Sequence, residues 1–334
     1  MVCMRILITG AFGNVGKAVI EEAYKRHHDI VVFEVDNKKT RKTAKKYRTK
    51  VQVFYGDIRR IDSLQAAVEQ AEAIVHLAAI IPPASKKNRN TTLDINYSGT
   101  QNLVNAIKAT HRNIPLVFTS SASVMGPTQH KTPPVNRNDP LVVTGNYEES
   151  KIKCETYLKE SANNYLIFRL AGVLPTFSAD TLTGSFSLLE ELFDMHPNMR
   201  LEMVTAQDIA TALINGAEKL QTNTTPKNQA YIIGGGQANG WQLYGNEFIA
   251  RLFGTLSLPV PDPKYFTPNI NTYHLDWYDT KEAQHEFHYQ NHTLEAYLNC
   301  TKKAFRFYRL PIRLLRGYII KKIVEMSPYQ PDYS

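Results

Sequence analysis

This sequence predicts a doubly wound α/β fold, a parallel sheet with helices on both faces, carrying a smaller, interrupted second domain. Three observations support it. The apolar run Ile6–Ile8 stops at Gly10 and gives way to a helical pattern with Val15, Val19 and Ile20 on its inner side. Strand-like and helix-like patterns then alternate as far as Arg169, as a parallel sheet requires. Beyond Pro175 the rhythm loosens into stretches richer in Gly, Pro, Asn and aromatic residues.

Taken in order, Ile30–Val35 reads as the second strand and Val51–Phe54 as the third. The stretch Ile61–Ala71 reads as a helix with Asp62 or Ser63 at its N-cap. Ala73–Ala78 is the expected fourth strand, Asn96–His111 a long helix and Leu116–Thr119 the fifth strand. Tyr147–Ser161 is helical again and Leu166–Arg169 is the sixth strand. Right-handed crossovers then place helices on both faces. Thr205–Leu220 reads as a helix and Ala230–Ile233 as a strand that return to the sheet. The expected division is residues 1–175 and 204–236 as the sheet domain, 176–203 and 237–300 as a cap, and 301–334 as a basic tail. Ligands of such sheets sit outside the carboxyl ends of the strands, where a cap supplies substrate contacts.

The bulk properties suit a soluble enzyme: 334 residues, 43% hydrophobic, with no run approaching the ~18 apolar residues of a membrane span. The N-terminus enters a strand almost at once, which argues against a secretion signal and makes the cytoplasm the expected location. Cys3, Cys154 and Cys300 are scattered, which argues for reduced thiols and against a disulfide framework or zinc site. His285 and His288 lack the company of a metal helix, and no metal is expected. Lys38–Lys50 and Lys302–Lys322 each carry eight Lys or Arg and no acid. Those sixteen cations exceed the net charge of +8, so the rest of the chain is acidic. Two local basic patches on an acidic body do not make a nucleic-acid-binding protein.

Gly10, Gly13 and Gly16 stand at G-x-x-G-x-x-G spacing across the first strand–helix turn. The first permits a tight turn, the second a close approach of backbone to a pyrophosphate, and the third close packing of helix on strand. This is a dinucleotide fingerprint. Glu34, eighteen residues after Gly16, or its rival Asp36, is placed to accept from the adenosine ribose hydroxyls. Either acid favours NAD, while the cations from Lys38 onward could instead neutralise the 2′-phosphate of NADP. Asp57, followed by Ile58, either accepts from the adenine amino group or merely caps a turn.

Tyr147 and Lys151 are four apart on a predicted helix and so share a face. A phenol near pKa 10 is a poor base, and a nearby ammonium with a positive nicotinamide would pull it down. Tyr318 and Lys322 match the same spacing in the tail without supporting context. The context at Tyr147 is the hydroxyl cluster Thr119–Ser123 at the carboxyl end of the fifth strand, where one hydroxyl can hydrogen-bond a substrate oxygen.

With these stretches in view, the chain resembles the extended short-chain dehydrogenase/reductases of the NAD-dependent epimerase/dehydratase family. The resemblance rests on Thr9–Gly16, Gly56–Asp57, His76–Ala79, Asn96–Thr100, Ser120–Gly126 and Tyr147–Lys151, in order, across Arg5 to Pro175. It implies a Rossmann-type fold. Its implied catalytic set is Ser121 as the substrate-oxygen donor, Tyr147 as acid and base, and Lys151 as pKa modulator and nicotinamide-ribose contact. The candidate cofactor set is Gly10, Phe12, Gly13, Asn14, Val15, Gly16, Glu34, Asp36, Asp57, Ile58, Leu77, Ala78, Ala79, Asn96, Thr119, Tyr147 and Lys151. Asn96 is expected to shape the helix beside the site. A homodimer is also implied, through the helices at Asn96–His111 and Tyr147–Ser161.

Two departures bear on the substrate. Where nucleotide-sugar members often read Val-Tyr-Gly, this chain reads Val124-Met125-Gly126. Gly172 stands where they commonly carry an asparagine, and Ile80-Ile81-Pro82-Pro83 adds an apolar wall. The readings are an epimerase or dehydratase of a nucleotide sugar, an NADP(H)-dependent reductase or alcohol dehydrogenase of a more apolar substrate, and a non-catalytic dinucleotide sensor. His76, ending a buried strand, reads as a satisfied core histidine. In the tail, Leu315, Ile319, Ile323 and Met326 recur at helical spacing, with Pro311 starting the helix. That stripe docks on the protein itself or a partner subunit, or else residues 312–326 lie on an anionic membrane surface.

Overall fold

The computed structural model describes residues 3–161, 164–175 and 191–329. Seven parallel strands form the main sheet in the order β3-β2-β1-β4-β5-β6-β9. They are β1 (Arg5–Thr9), β2 (Asp29–Glu34), β3 (Gln52–Tyr55), β4 (Ala73–His76), β5 (Leu116–Ser121), β6 (Tyr165–Leu170) and β9 (Gln229–Ile233). The sequence expectation located all seven to within about two residues at each end.

Alternation along the strands sorts their side chains onto two cores. Ile6 and Ile8 pack with Val19 and Ile20 of α1 (Asn14–Lys25) and Leu213 of the helix Ala206–Gln221. Leu7 points the other way, into a core with Leu64, Leu103 and Leu158. Those residues lie on α3 (Ile61–Gln70), α6 (Gly99–Ala109) and α7 (Asn146–Ser161), with the short helices α4 (Ala84–Lys87) and α5 (Arg89–Leu93) between α3 and α6 in the chain. Helices therefore cover both faces, as expected. Thr205 caps the helix Ala206–Gln221 by accepting from the Asp208 amide.

Several local expectations need correction. Helix α3 is capped at Arg60 without a side-chain bond, not at Asp62 or Ser63. The Ser63 hydroxyl instead donates to the carbonyls of Asp57 and Arg60. Lys38–Lys46 of the basic stretch forms helix α2, closed by a capping box between Asn37 and Thr40. Part of the expected cap, residues 176–190, lies outside the described residues.

Leaving β6, the chain passes into a small three-stranded sheet of β7 (Gly172–Leu174), β8 (Arg200–Thr205) and β10 (Gln242–Tyr244). Glu202 on β8 is fully buried there, and its carboxylate accepts from the amides of Gly236 and Tyr278 and from Gln242 Nε2. Burial pushes it up to about 7 despite those donors. Arg200 Nε meets Asp276 at 2.7 Å, and Thr128 Oγ1 donates to the same carboxylate, tying the small sheet to the segment after β5.

One buried ion pair joins α7 to the main sheet. Arg169 Nη2 stands 2.7 Å from Glu155 Oε2, with both side chains essentially inaccessible, and Arg169 Nη1 donates to the Arg137 carbonyl. Removing one partner strands the other's charge in the interior. Arg169→Met should cost about 3–5 kcal/mol in urea unfolding, and adding Glu155→Leu should recover most of it. A single substitution without measurable cost would contradict the pairing.

Candidate active site

The glycine turn is built from close backbone approaches. Gly10 has φ +68°, and a Cβ there would stand 2.8 Å from the backbone of Ala78 at the end of β4. At Gly16 a Cβ would stand 2.5 Å from the Ala11 carbonyl carbon and oxygen. Gly13 is the N-cap of α1; no side chain caps the helix and its first turn, from Asn14 and Val15, holds no acid. The first amides of such a helix have no intrahelical partner and lie at its positive end.

Glu34 and Asp36, rivals in the sequence, face different ways. Glu34 is buried at the end of β2, and its carboxylate accepts from the Phe12 amide at 2.6 Å. Burial raises its pKa against the pull of that amide. Asp36 is exposed and held by Arg41 through two hydrogen bonds of 2.5 and 2.7 Å, which lower its pKa. Asp57 makes the local bonds of a turn: it accepts from the Arg59 amide at 3.0 Å and from the Arg59 guanidinium, which holds its pKa down. Ile58 is buried against Gly99.

The end of β4 is fastened to β1 by Thr9, whose hydroxyl accepts from the amides of Leu77 and Ala78 at 3.2 Å. Ala79 follows, and then the Ile80 loop. Asn96 sits in a π turn (Asp94–Ser98) where its amide pairs with both the N–H and the carbonyl of Ile80 and donates to Ser150 Oγ on α7. His76 is enclosed between the hydroxyls of Thr9 at 2.7 Å and Thr100 at 3.0 Å. Burial pushes it down to about 3, so it is neutral, as expected of a core histidine.

At the carboxyl end of β5, Ser121 caps a short 3₁₀ turn and accepts from the Ser123 amide; the two hydroxyls are 2.9 Å apart. Tyr147 lies beside Ser121, whose hydroxyl works to lower the phenol's pKa. One turn along α7, Lys151 Nζ donates to the Thr119 carbonyl at 2.7 Å and lies 5.9 Å from the Tyr147 ring centre. Ser121, Tyr147 and Lys151 are thus brought together. The expected lowering of the phenol's pKa calls on the nicotinamide's charge as well as Lys151; the protein's own groups act the other way. In this site burial and Glu148 raise Tyr147, with Ser121 opposing, while burial lowers Lys151 to about 8.

The sequence reading left out Thr9, Ser123 and Ser150, whose signals were present as hydroxyls inside the quoted stretches. It also missed Met203, for which no local signal exists. A Cβ on Gly172 would overlap Met203 Sδ and lie 2.9 Å from Leu275 Cδ1, so apolar side chains fill the place an asparagine would take.

The model of the NAD dependent epimerase/dehydratase family matches residues 6–183. Rat 3 beta-hydroxysteroid dehydrogenase type 7 is 27% identical over 124 residues, 36% of each chain. The chain therefore spans about a third of that relative's length. UDP-glucose 4-epimerase of Thermotoga maritima superposes with a TM-score of 0.73 at 18% identity, covering 91% of this chain and 99% of that one. The enzyme WbmG of Bordetella bronchiseptica, in complex with NAD and UDP, gives 0.73 at 18%, covering 92% and 97%. These likenesses are likenesses of fold.

Lys151 supplies a pH test. Its folded pKa near 8 lies below the ordinary 10.5. Between those values the unfolded chain binds the proton more readily, so stability rises with pH across that window. Relative to Lys151→Met, the protein should gain up to about 3 kcal/mol between pH 7.5 and 10.5 in denaturant titrations. A flat difference would mean that the ammonium is not desolvated.

Proposed function

The chain belongs to the NAD dependent epimerase/dehydratase family, and from that premise we propose that it is an NAD(P)-dependent oxidoreductase of a substrate hydroxyl or carbonyl, working through Ser121, Tyr147 and Lys151. The observation that carries this is the buried Lys151, fixed by the Thr119 carbonyl one helical turn from Tyr147 with its Nζ 5.9 Å from the phenol ring centre, and Ser121 beside that phenol.

The residues fit a dinucleotide. The space a Cβ would fill at Gly10 and Gly16 is taken by backbone, and the uncapped start of α1 offers the amides of Asn14, Val15 and Gly16 to a pyrophosphate. Glu34 would accept from the adenosine ribose, with Phe12 beside it. Asp57 and Ile58 would flank the adenine, and Leu77, Ala78, Ala79, Asn96 and Thr119 would line the path to Tyr147 and Lys151. A buried carboxylate at Glu34 disfavours a 2′-phosphate, and Arg41 is already engaged by Asp36, so NAD is favoured over NADP. When bound, the oxidised nicotinamide supplies a hydride-accepting carbon and a positive charge.

Tyr147 Oη gives the proton to a carbonyl oxygen, or takes it from a hydroxyl, while Ser121 Oγ donates a hydrogen bond to the same oxygen. Lys151 keeps a positive charge under the phenol and is itself fixed by the Thr119 carbonyl. Asp36, facing Arg41, has no part in this reading.

For the substrate, Gly172 closed by Met203 and Leu275, with Ile81, Val142 and Val143 exposed, favours a secondary alcohol or ketone on an apolar skeleton. The partial match to a hydroxysteroid dehydrogenase agrees. The second reading, a nucleotide-sugar epimerase or dehydratase, is favoured by the fold neighbours.

Tyr147→Phe should lower turnover by roughly 10²–10⁴-fold and leave NADH affinity intact; unchanged turnover would remove Tyr147 from the chemistry, and no turnover in the wild type would favour a dinucleotide sensor. The nucleotide released on denaturation separates the two substrate readings. An empty site that binds NADH and reduces apolar ketones supports the first. Near-stoichiometric NAD with interconversion of UDP-sugars supports the second.

A further inference from the structure

The C-terminal tail divides into an inner and an outer face. After the helix Leu294–Ala304 come two short helices, Arg309–Leu314 and Arg316–Val324. Pro311 lies within the first turn of a helix that begins at Arg309, not at its start as the sequence suggested. Of the expected apolar stripe, Ile323 is buried, and Ile319 and Met326 pack on the main core. Ser327 Oγ donates to the Tyr265 carbonyl and Tyr329 Oη to Asp194, which fastens the tail's end. Leu315, predicted to belong to that stripe, is instead exposed.

The outer face remains uncovered. Six of the fourteen large apolar side chains exposed among the described residues fall within residues 307–318: Phe307, Tyr308, Leu310, Leu314, Leu315 and Tyr318. Phe307 and Leu314 are 75% and 76% exposed. Lys302, Lys303, Arg306, Arg313, Arg316 and Lys321 are exposed around them, and no acid occurs from Lys302 to Lys322. Helical pieces combining exposed aliphatic and aromatic groups with cations are built to lie in a lipid interface.

We infer that this outer face docks on an anionic lipid bilayer, its apolar side chains entering the acyl boundary and its cations meeting the headgroups. Charge complementarity selects that occupant. A second copy would set one acid-free basic stretch against another, and nucleic acid offers nothing to Leu310, Leu314 and Leu315. No helix among the described residues is long and apolar enough to cross a membrane, so the contact is peripheral. It is independent of the reaction proposed above, because none of these residues belongs to the site.

The test is co-sedimentation of the full-length protein with phosphatidylcholine vesicles with and without 30% phosphatidylglycerol, at low and high salt. Binding should be at least roughly tenfold stronger to the anionic vesicles and weaken with salt. Phe307→Ser/Leu314→Ser, and separately Arg313→Glu/Arg316→Glu, should each lower binding about tenfold or more, with melting temperature and NADH binding unchanged. Failure to bind anionic vesicles overturns the inference. So does a dimer on gel filtration that Phe307→Ser/Leu314→Ser dissociates, because the face would then belong to a second copy.

Discussion

The site depends on two strand ends meeting at backbone distance. Gly10 lies so close to Ala78 that no side chain can intervene, and the Thr9 hydroxyl holds the amides of Leu77 and Ala78 in place. That contact fixes where β4 ends relative to α1, and a buried polar chain extends from it. His76 joins Thr9 to Thr100, its carbonyl accepts from Thr119 Oγ1, and the Thr119 carbonyl accepts from Lys151. Three strands and two helices are thereby held in one register by groups that have no water to turn to. Asn96 adds a second route, from the Ile80 loop to α7. Thr9, at one end of this network, leads into the uncapped start of α1, and Lys151, at the other, brings its Nζ to 5.9 Å from the Tyr147 ring centre.

Burial acts against charge throughout the site. It raises Glu34 and Tyr147, lowers Lys151, and keeps His76 neutral. Such a site holds its charged forms at a cost, and a ligand of complementary charge relieves part of it. The neutral His76 has a separate effect: it adds no positive charge beneath Lys151, where a second cation would push the ammonium further toward neutrality. Outside the site the chain treats charge differently, enclosing Glu155 with Arg169 and leaving Lys302, Lys303, Arg306, Arg313, Arg316 and Lys321 of the tail exposed.

The main sheet was legible because its signals are local. Buried parallel strands read as short apolar runs, and the glycine spacing belongs to a single turn. What was not legible depended on partners distant in sequence or on a single step along the chain. Glu34 and Asp36 are two residues apart on an extended segment, and only the fold shows that one meets Phe12 and the other Arg41. The strands of the small sheet are spread from Gly172 to Tyr244, two of them only three residues long, and their pairing joins segments distant in sequence. The tail's stripe was correct at Ile319, Ile323 and Met326 and wrong at Leu315, because the helix breaks there and the periodicity does not carry across. Met203 meets Gly172 only through the pairing of β7 with β8.

Whether Tyr147 shares a site with the cofactor is decided by its ionisation. Among 18 tyrosines it can be isolated as the difference in ultraviolet tyrosinate absorbance between the wild type and Tyr147→Phe, titrated with and without saturating NAD. Tyr147 should give no difference step below about pH 10 in the free protein, and a step near neutral pH when NAD is present. A step at the same pH in both titrations would contradict it, because Tyr147 would then not share a site with the cofactor.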